Sequence, residues 1–208
     1  SAAKPPRRFA GETYWARPVA GFGDPSARLL LVGLAPAAHG GNRTGRVFTG
    51  DSSGDFLFAA LHRAGFASQA ESTCRDDGLE LRDAYVLAPV RCAPPDNRPT
   101  PEEFDRCRPF FARELALLPD VRLSLALGGL AWASTLRVLG DAGAAIPRPA
   151  PPFGHGAEAT LEVPGRGRVA LLGSYHVSRQ NTNTGRLTAA MFDAVLERAK
   201  RLLDSPPR

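Results

Sequence analysis

The sequence predicts an α/β protein: a three-layer α/β/α single domain over residues 1–208, with a central, mostly parallel sheet of about four strands. Three observations lead there. A chain of 208 residues suits one domain. Four short runs are almost wholly apolar, as strands covered on both faces are. Stretches of helical period fall between those runs, and strand–helix alternation builds a layered sheet.

The elements follow in chain order. Residues 1–20 read as an N-terminal arm. Residues 29–32 are a continuous apolar strand closed by Gly33. A helix over residues 52–64 carries Phe56, Leu57, Ala60, Leu61 and Ala64 on one stripe and stops at Gly65. Residues 85–90 form the second strand. Thr100-Pro101-Glu102-Glu103 joins a capping box to a proline at the first helical position. The helix it starts carries Phe104, Cys107, Phe111 and Leu115, and Pro109 is expected to kink or split it. Residues 121–127 are the third strand, and residues 130–139 a helix closed by Gly140. Residues 141–156, rich in proline, read as a loop. Residues 169–172 are the fourth strand, and Thr188 caps a last helix with Phe192, Val195, Leu196 and Ala199 facing inward.

Composition narrows the function. Hydrophobic residues make up 43% and charged residues 23%, the balance of a soluble globular protein. No apolar run approaches the roughly 18 residues of a membrane span, and neither a signal peptide nor a lipidation tail is visible. The expectation is a cytoplasmic monomer with no membrane contact. The chain begins at Ser1 without methionine, and is expected to be a truncated form or the ordered part of a longer protein. The net charge is +5, and of the 26 lysines and arginines only Lys4 and Lys200 are lysine. Arginine suits bidentate phosphate contacts; base composition accounts for the same bias, since alanine, glycine and proline are also abundant.

Open α/β sheets bind ligands beyond the carboxyl ends of their strands, which directs attention to three segments. Residues 33–51, GLAPAAHGGNRTGRVFTGD, are a long glycine-rich stretch with one carboxylate, Asp51, and one aromatic, Phe48. They hold neither a Walker lysine nor GxGxxG, so ordinary nucleotide binding is not indicated. Residues 90–98 read VRCAPPDNR, and residues 176–185 read HVSRQNTNTG. A carboxylate, a histidine and a phenylalanine converging on a basic cleft suggest acid–base or electrostatic chemistry on a planar ligand.

These segments resemble the motifs of type-5 (type B) uracil-DNA glycosylases. Residues 33–51 resemble the first motif and residues 176–185 the second; residues 14–24, YWARPVAGFGD, and 90–98 also look like that family. The likeness runs in register from about Phe9 to Ala199. It implies a monofunctional glycosylase that hydrolyses the N-glycosidic bond of uracil, and of other deaminated or damaged bases, in DNA for base excision repair. Such enzymes flip the nucleotide out of the duplex. The partner implied is DNA carrying uracil or another damaged base, and no catalytic metal is implied.

The resemblance gives each candidate residue a role, and each also has a plain structural reading. Asp51 would orient water and stabilise the sugar cation, or simply cap the following helix. His176 would donate to the departing base, where a lone histidine is more often structural. Phe48 would stack on the flipped base, or fill the core. Asn97 would enter the catalytic site, or serve as a turn residue. Gly33, Ala35, Pro36, Ala37 and Ala88 would line the base pocket, with backbone N–H groups near Ala35 solvating the uracil anion. Val177, Ser178, Arg179, Gln180 and Asn181 would enter the duplex. Arg43, Arg46, Arg179 and Arg186 would meet phosphates, or stay solvated. His39 is placed near the pocket, His62 on a helix surface and His155 in a loop. Other glycosylase types carry an acid or asparagine at the position of Ala35, and type-4 relatives an asparagine at that of Ala88; their absence argues for a looser pocket.

Cys74, Cys92 and Cys107 are the only cysteines. Cys92 and Cys107 match two ligands of the family's 4Fe–4S cluster, which needs four thiolates. The family's other two come from a segment upstream of this chain's start. Read alone, the pair are buried structural thiols. Two other functions stay open: a catalytically weak lesion-binding protein of the same fold, and an unrelated nucleotide-binding domain.

Overall fold

A computed structural model describes residues 5–205; the first four residues of the arm and the tail 206–208 lie outside the described residues. In chain order the elements are β1 (Phe22–Gly23), β2 (Leu29–Val32), α1 (Gly41–Thr44), α2 (Ser52–Arg63), β3 (Ala84–Leu87), α3 (Pro101–Ala116), β4 (Leu123–Leu127), α4 (Gly129–Asp141), β5 (Glu158–Val163), β6 (Gly167–Ser174), α5 (Arg179–Asn183) and α6 (Ala189–Asp204). Short 3₁₀ turns lie at Arg7–Phe9 and Pro95–Asn97.

The sheet has six strands in the order β1-β3-β2-β4-β6-β5, not about four. The four anticipated strands form its parallel centre. The two additions are antiparallel edges, β1 on β3 and β5 on β6.

Both faces of the centre are buried, and the pleat divides its side chains between two cores. Leu29 and Leu31 join Leu57, Phe58 and Phe192 of α2 and α6 on one face. Leu30 and Val32 join Phe111, Leu115, Trp132 and Leu139 of α3 and α4 on the other. β4 and β6 repeat the division, with Leu125 and Leu172 on the first face and Ala126 and Leu171 on the second. This is why the central strands read as unbroken apolar runs.

Pro109 does not split α3, which runs unbroken through it. A mid-helix proline costs about 3 kcal/mol, but Phe111 and Leu115 beyond it are buried against α4, and Thr100 and Glu103 complete the capping box at the start. The two long loops contain helical turns, α1 and α5, that the sequence reading left unstructured. The proline-rich loop is shorter at its start than residues 141–156, because α4 continues through Asp141.

Candidate active site at the carboxyl edge of the sheet

A pocket of about 230 Å³ opens beyond the carboxyl ends of β2, β3 and β6. Ala35, Pro36, Ala37, Phe48 and Asp51 line it from the β2–α2 loop, Ala88 and Asn97 from the segment after β3, and His176 and Arg179 from the β6–α5 loop. Chain segments far apart in sequence therefore meet because parallel strands end at one edge.

Asp51 is the N-cap of α2. Its Oδ1 accepts hydrogen bonds from the amides of Ser53 at 2.9 Å and Gly54 at 3.0 Å. Its Oδ2 is left out of the cap and lies against Gly40, where an added Cβ would come within 1.8 Å of it. Burial raises the Asp51 pKa above its usual value, and the Gly54 and Ser53 amides oppose that rise. The cap and the pocket carboxylate are the same group, so the two readings of Asp51 are compatible.

Phe48 is wedged into place. Its backbone is left-handed, with φ +51°. A Cβ on Gly54 would sit 1.9 Å from its carbonyl oxygen, and one on Gly33 would sit 2.7 Å from its ring. The ring lines the pocket and lies 6.2 Å, centroid to centroid, from that of His176. Gly33 itself ties β2 to β3 through its N–H to the Leu87 carbonyl, at 2.9 Å.

His176 follows β6, and burial lowers its pKa to about 4, so the ring is neutral at neutral pH. Its carbonyl accepts from Asn181 Nδ2 at 2.8 Å, which fixes the loop while leaving the ring unbonded among the described residues. Asn97 sits at the mouth, in a turn where Asp96 and Asn97 are both left-handed. The amides of Ala35 and Ala37 donate to no protein acceptor among the described residues.

Three groups expected at the DNA do different work. Arg46 is buried and bonded to Asp77 at 2.7 Å, Ser72 at 2.9 Å and Thr49 at 2.9 Å, so it braces the loop. Arg43 is spent on Glu12 at 2.7 Å, the His39 carbonyl at 2.8 Å and the Gly50 carbonyl at 3.1 Å, with its guanidinium over Phe9. Val177 is fully buried in the core beside α2 and α6 and cannot enter a duplex. Ser178 caps α5, and Arg179, Gln180 and Arg186 remain exposed, Arg186 over the ring of Tyr175.

A second cavity, about 260 Å³, lies between α3 and α4. Its charges neutralise one another: Arg137 meets Asp105 at 2.8 Å and Arg108 meets Asp141 at 3.3 Å. Among the described residues, Asp51, His176 and Phe48 converge on the first pocket.

A family model described as the uracil DNA glycosylase superfamily matches residues 20–200. The chain belongs to the uracil-DNA glycosylase superfamily. A type-5 uracil-DNA glycosylase of Thermus thermophilus is 58% identical over 196 residues, covering 94% of this chain and 85% of that protein. One from Mycobacterium tuberculosis is 52% identical, covering 94% of this chain and 70% of its own. One from Pyrobaculum aerophilum is 48% identical, covering 96% and 82%.

Within this superfamily fold, the pocket also uses Leu34, Val47 and Ser53, which sequence reasoning did not single out. Ser53 was within reach, because it lies in the first turn of α2, two residues after the capping Asp51. Cys92 is exposed and Cys107 half-buried, which departs from the reading of two buried thiols. Burial raises the Cys92 pKa, and the charges of Cys107 and Glu103 raise it further. No group of three or more metal-ligating side chains forms among the described residues. No helix among them is long and apolar enough to cross a membrane.

Proposed function

We propose that this protein is a monofunctional DNA glycosylase that hydrolyses the N-glycosidic bond of uracil in DNA and leaves an abasic site. One observation carries the reading: a half-buried carboxylate, Asp51, and a neutral imidazole, His176, face one pocket beside the Phe48 ring. Its size suits a single base.

The chemistry follows from those groups. The flipped uracil stacks on Phe48. As the C1′–N1 bond breaks, its electron pair leaves with the base, which becomes an anion, and the sugar becomes cation-like. The Asp51 carboxylate stabilises that cation and receives a proton from the water whose oxygen joins C1′. Its raised pKa makes it the stronger base. His176, neutral, donates a hydrogen bond to the charge growing on uracil O2 without surrendering a proton. The free amides of Ala35 and Ala37 supply further donors. Asn97 closes the mouth, and Ser178, Arg179, Gln180 and Arg186 meet the DNA.

Ala35 and Ala88 offer no side-chain hydrogen bond to the base. Selection then rests on shape, stacking and backbone groups, which reject wrong bases weakly. The range therefore extends to hypoxanthine and ethenocytosine, and uracil is removed best from mispairs. Cys92 and Cys107 fit half the ligand set of a 4Fe–4S cluster, whose role would be to brace the α3 region, since hydrolysis involves no redox step. The protein works as a cytoplasmic monomer.

The test is single-turnover cleavage of matched duplexes that differ only in the lesion. Strand breaks at uracil after abasic-site cleavage are expected. Tight binding to uracil duplexes with no base release would instead identify a lesion-binding protein.

A further inference from the structure

The second flank of the DNA path is carried by groups that the glycosylase chemistry does not use. We propose that Arg17 and Arg75, both set against the indole of Trp15, form a phosphate anchor for duplex DNA on the side of the pocket opposite Arg179 and Arg186. The inference rests on the glycosylase reading and adds a surface to it.

The location follows from backbone hydrogen bonds. The amides of Trp15 and Ala16 each donate at 3.0 Å, to the carbonyls of Arg43 and Asn42 in α1. The Val19 amide donates at 2.8 Å to the Arg91 carbonyl, just past β3. This part of the arm therefore runs along the same carboxyl edge as the pocket. The loop carrying Arg75 is bolted beside it: Arg46 donates to the Arg75 carbonyl at 3.1 Å, and the Gly50 amide to the Ser72 carbonyl at 2.8 Å. Both arginines are thus held by the segment that ends in Asp51.

The chemistry is that of a backbone clamp. The guanidinium carbons lie 5.7 Å (Arg17) and 4.9 Å (Arg75) from the Trp15 ring centroid. A guanidinium held on an aromatic face keeps its N–H edge free for phosphate and loses little entropy when it binds. Both side chains are exposed. The neighbouring carboxylates Glu12 and Asp77 are already taken by Arg43 and Arg46. Asp76, next to Arg75 in the chain, forms no ion pair among the described residues.

The spacing fits a duplex. Arg179 and Arg186 follow β6, while the arm carrying Arg17 is bonded to α1 after β2 and to Arg91 past β3, and β3 is three strand steps from β6 in the sheet order. Three steps at about 4.8 Å each make about 14 Å, which is about four rises of one DNA strand at 3.4 Å. A flipped nucleotide in the pocket then has cations on both flanks of the same duplex, which adds to affinity and leaves the chemistry in the pocket untouched.

The test uses the Arg17→Ala/Arg75→Ala double variant, with Arg122→Ala at the opposite, amino edge of β4 as the charge control. Affinity for a duplex of about 30 base pairs holding one abasic site is measured against salt. Two lost phosphate contacts lower the magnitude of the log–log salt slope by about 1.8, and Arg122→Ala leaves it unchanged. The single-turnover rate on uracil at saturating protein stays that of the wild type. An unchanged slope in the double variant, an equal drop in Arg122→Ala, or a lost rate at saturation overturns the anchor. A wild-type protein that neither binds nor cuts uracil duplexes overturns the glycosylase reading itself, and the anchor with it.

Discussion

Asp51 and His176 face one pocket from the loops that leave β2 and β6, yet their surroundings differ in kind. The Asp51 carboxylate receives two backbone amides on Oδ1, and the bare Cα of Gly40 makes room for Oδ2. The His176 ring receives no hydrogen bond among the described residues, and burial alone keeps it neutral. A carboxylate that must stay ionised in a buried place needs donors to offset its lost hydration. An imidazole that must stay neutral needs only to be kept from water. The anionic corner is therefore assembled from specific bonds and the neutral corner from exclusion, and the two should fail differently.

The largest effect should come from Asp51→Asn. The amide oxygen still accepts from Ser53 and Gly54, so the cap and the fold survive. The charge is gone, and the single-turnover rate on uracil should fall by about 10²-fold or more. Thermal unfolding and DNA affinity measured alongside should scarcely move. A rate near wild type would reduce Asp51 to a helix cap.

Gly40→Ala attacks the same corner without touching the carboxylate. The methyl group would meet Oδ2 at 1.8 Å and must displace it. A fall in rate of roughly tenfold is expected, in line with a displaced but still ionised base. The pH–rate profile separates this from general unfolding. The wild-type rate should rise with pH as Asp51 ionises, and that limb should lie at a higher pH than for a free aspartate because burial raises its pKa. Moving Oδ2 into a new place shifts the limb, whereas a mere loss of folded protein scales the curve without shifting it.

These groups differ also in how far the sequence revealed them. The central strands were legible because burial on both faces leaves no polar positions in them. β5 was not, because Glu158, Thr160 and Glu162 alternate with its inward residues as on any exposed edge. β1 is two residues long and ends in Gly23, too short to carry a period. The strand-end rule found Asp51, Phe48 and His176, since it needs only the strand ends. It could not show that Arg46 is spent on Asp77, 31 residues away, because the pairing of two loops is a tertiary fact. The same holds for Val177, whose place in a polar motif hid a fully buried side chain.

Ala88→Asn probes the floor between the two corners. Ala88 is buried and offers uracil no side-chain partner. An asparagine there adds a hydrogen-bonding group that suits the uracil edge and leaves an unpaired contact with other bases. The ratio of single-turnover rates, uracil over hypoxanthine, should rise several-fold. An unchanged ratio would show that the floor does not read the base.

The smallest effect concerns the neutral corner, and it appears in stability rather than rate. His176 has its pKa lowered to about 4 in the folded protein, against about 6.5 for the free side chain. Between those values the unfolded chain binds a proton that the folded chain refuses. Stability therefore rises with pH across this window, and is lost as pH falls from about 6.5 to about 4. His176→Gln removes the titration while keeping a hydrogen-bonding side chain, so its unfolding free energy should vary less with pH over that range than that of the wild type. Measurement by denaturant titration at pH 7 and pH 4.5 decides the matter. Equal pH slopes in the two proteins would mean that the ring is open to water and protonates freely. The neutral corner would then have to be held by a bond, as Asp51 is.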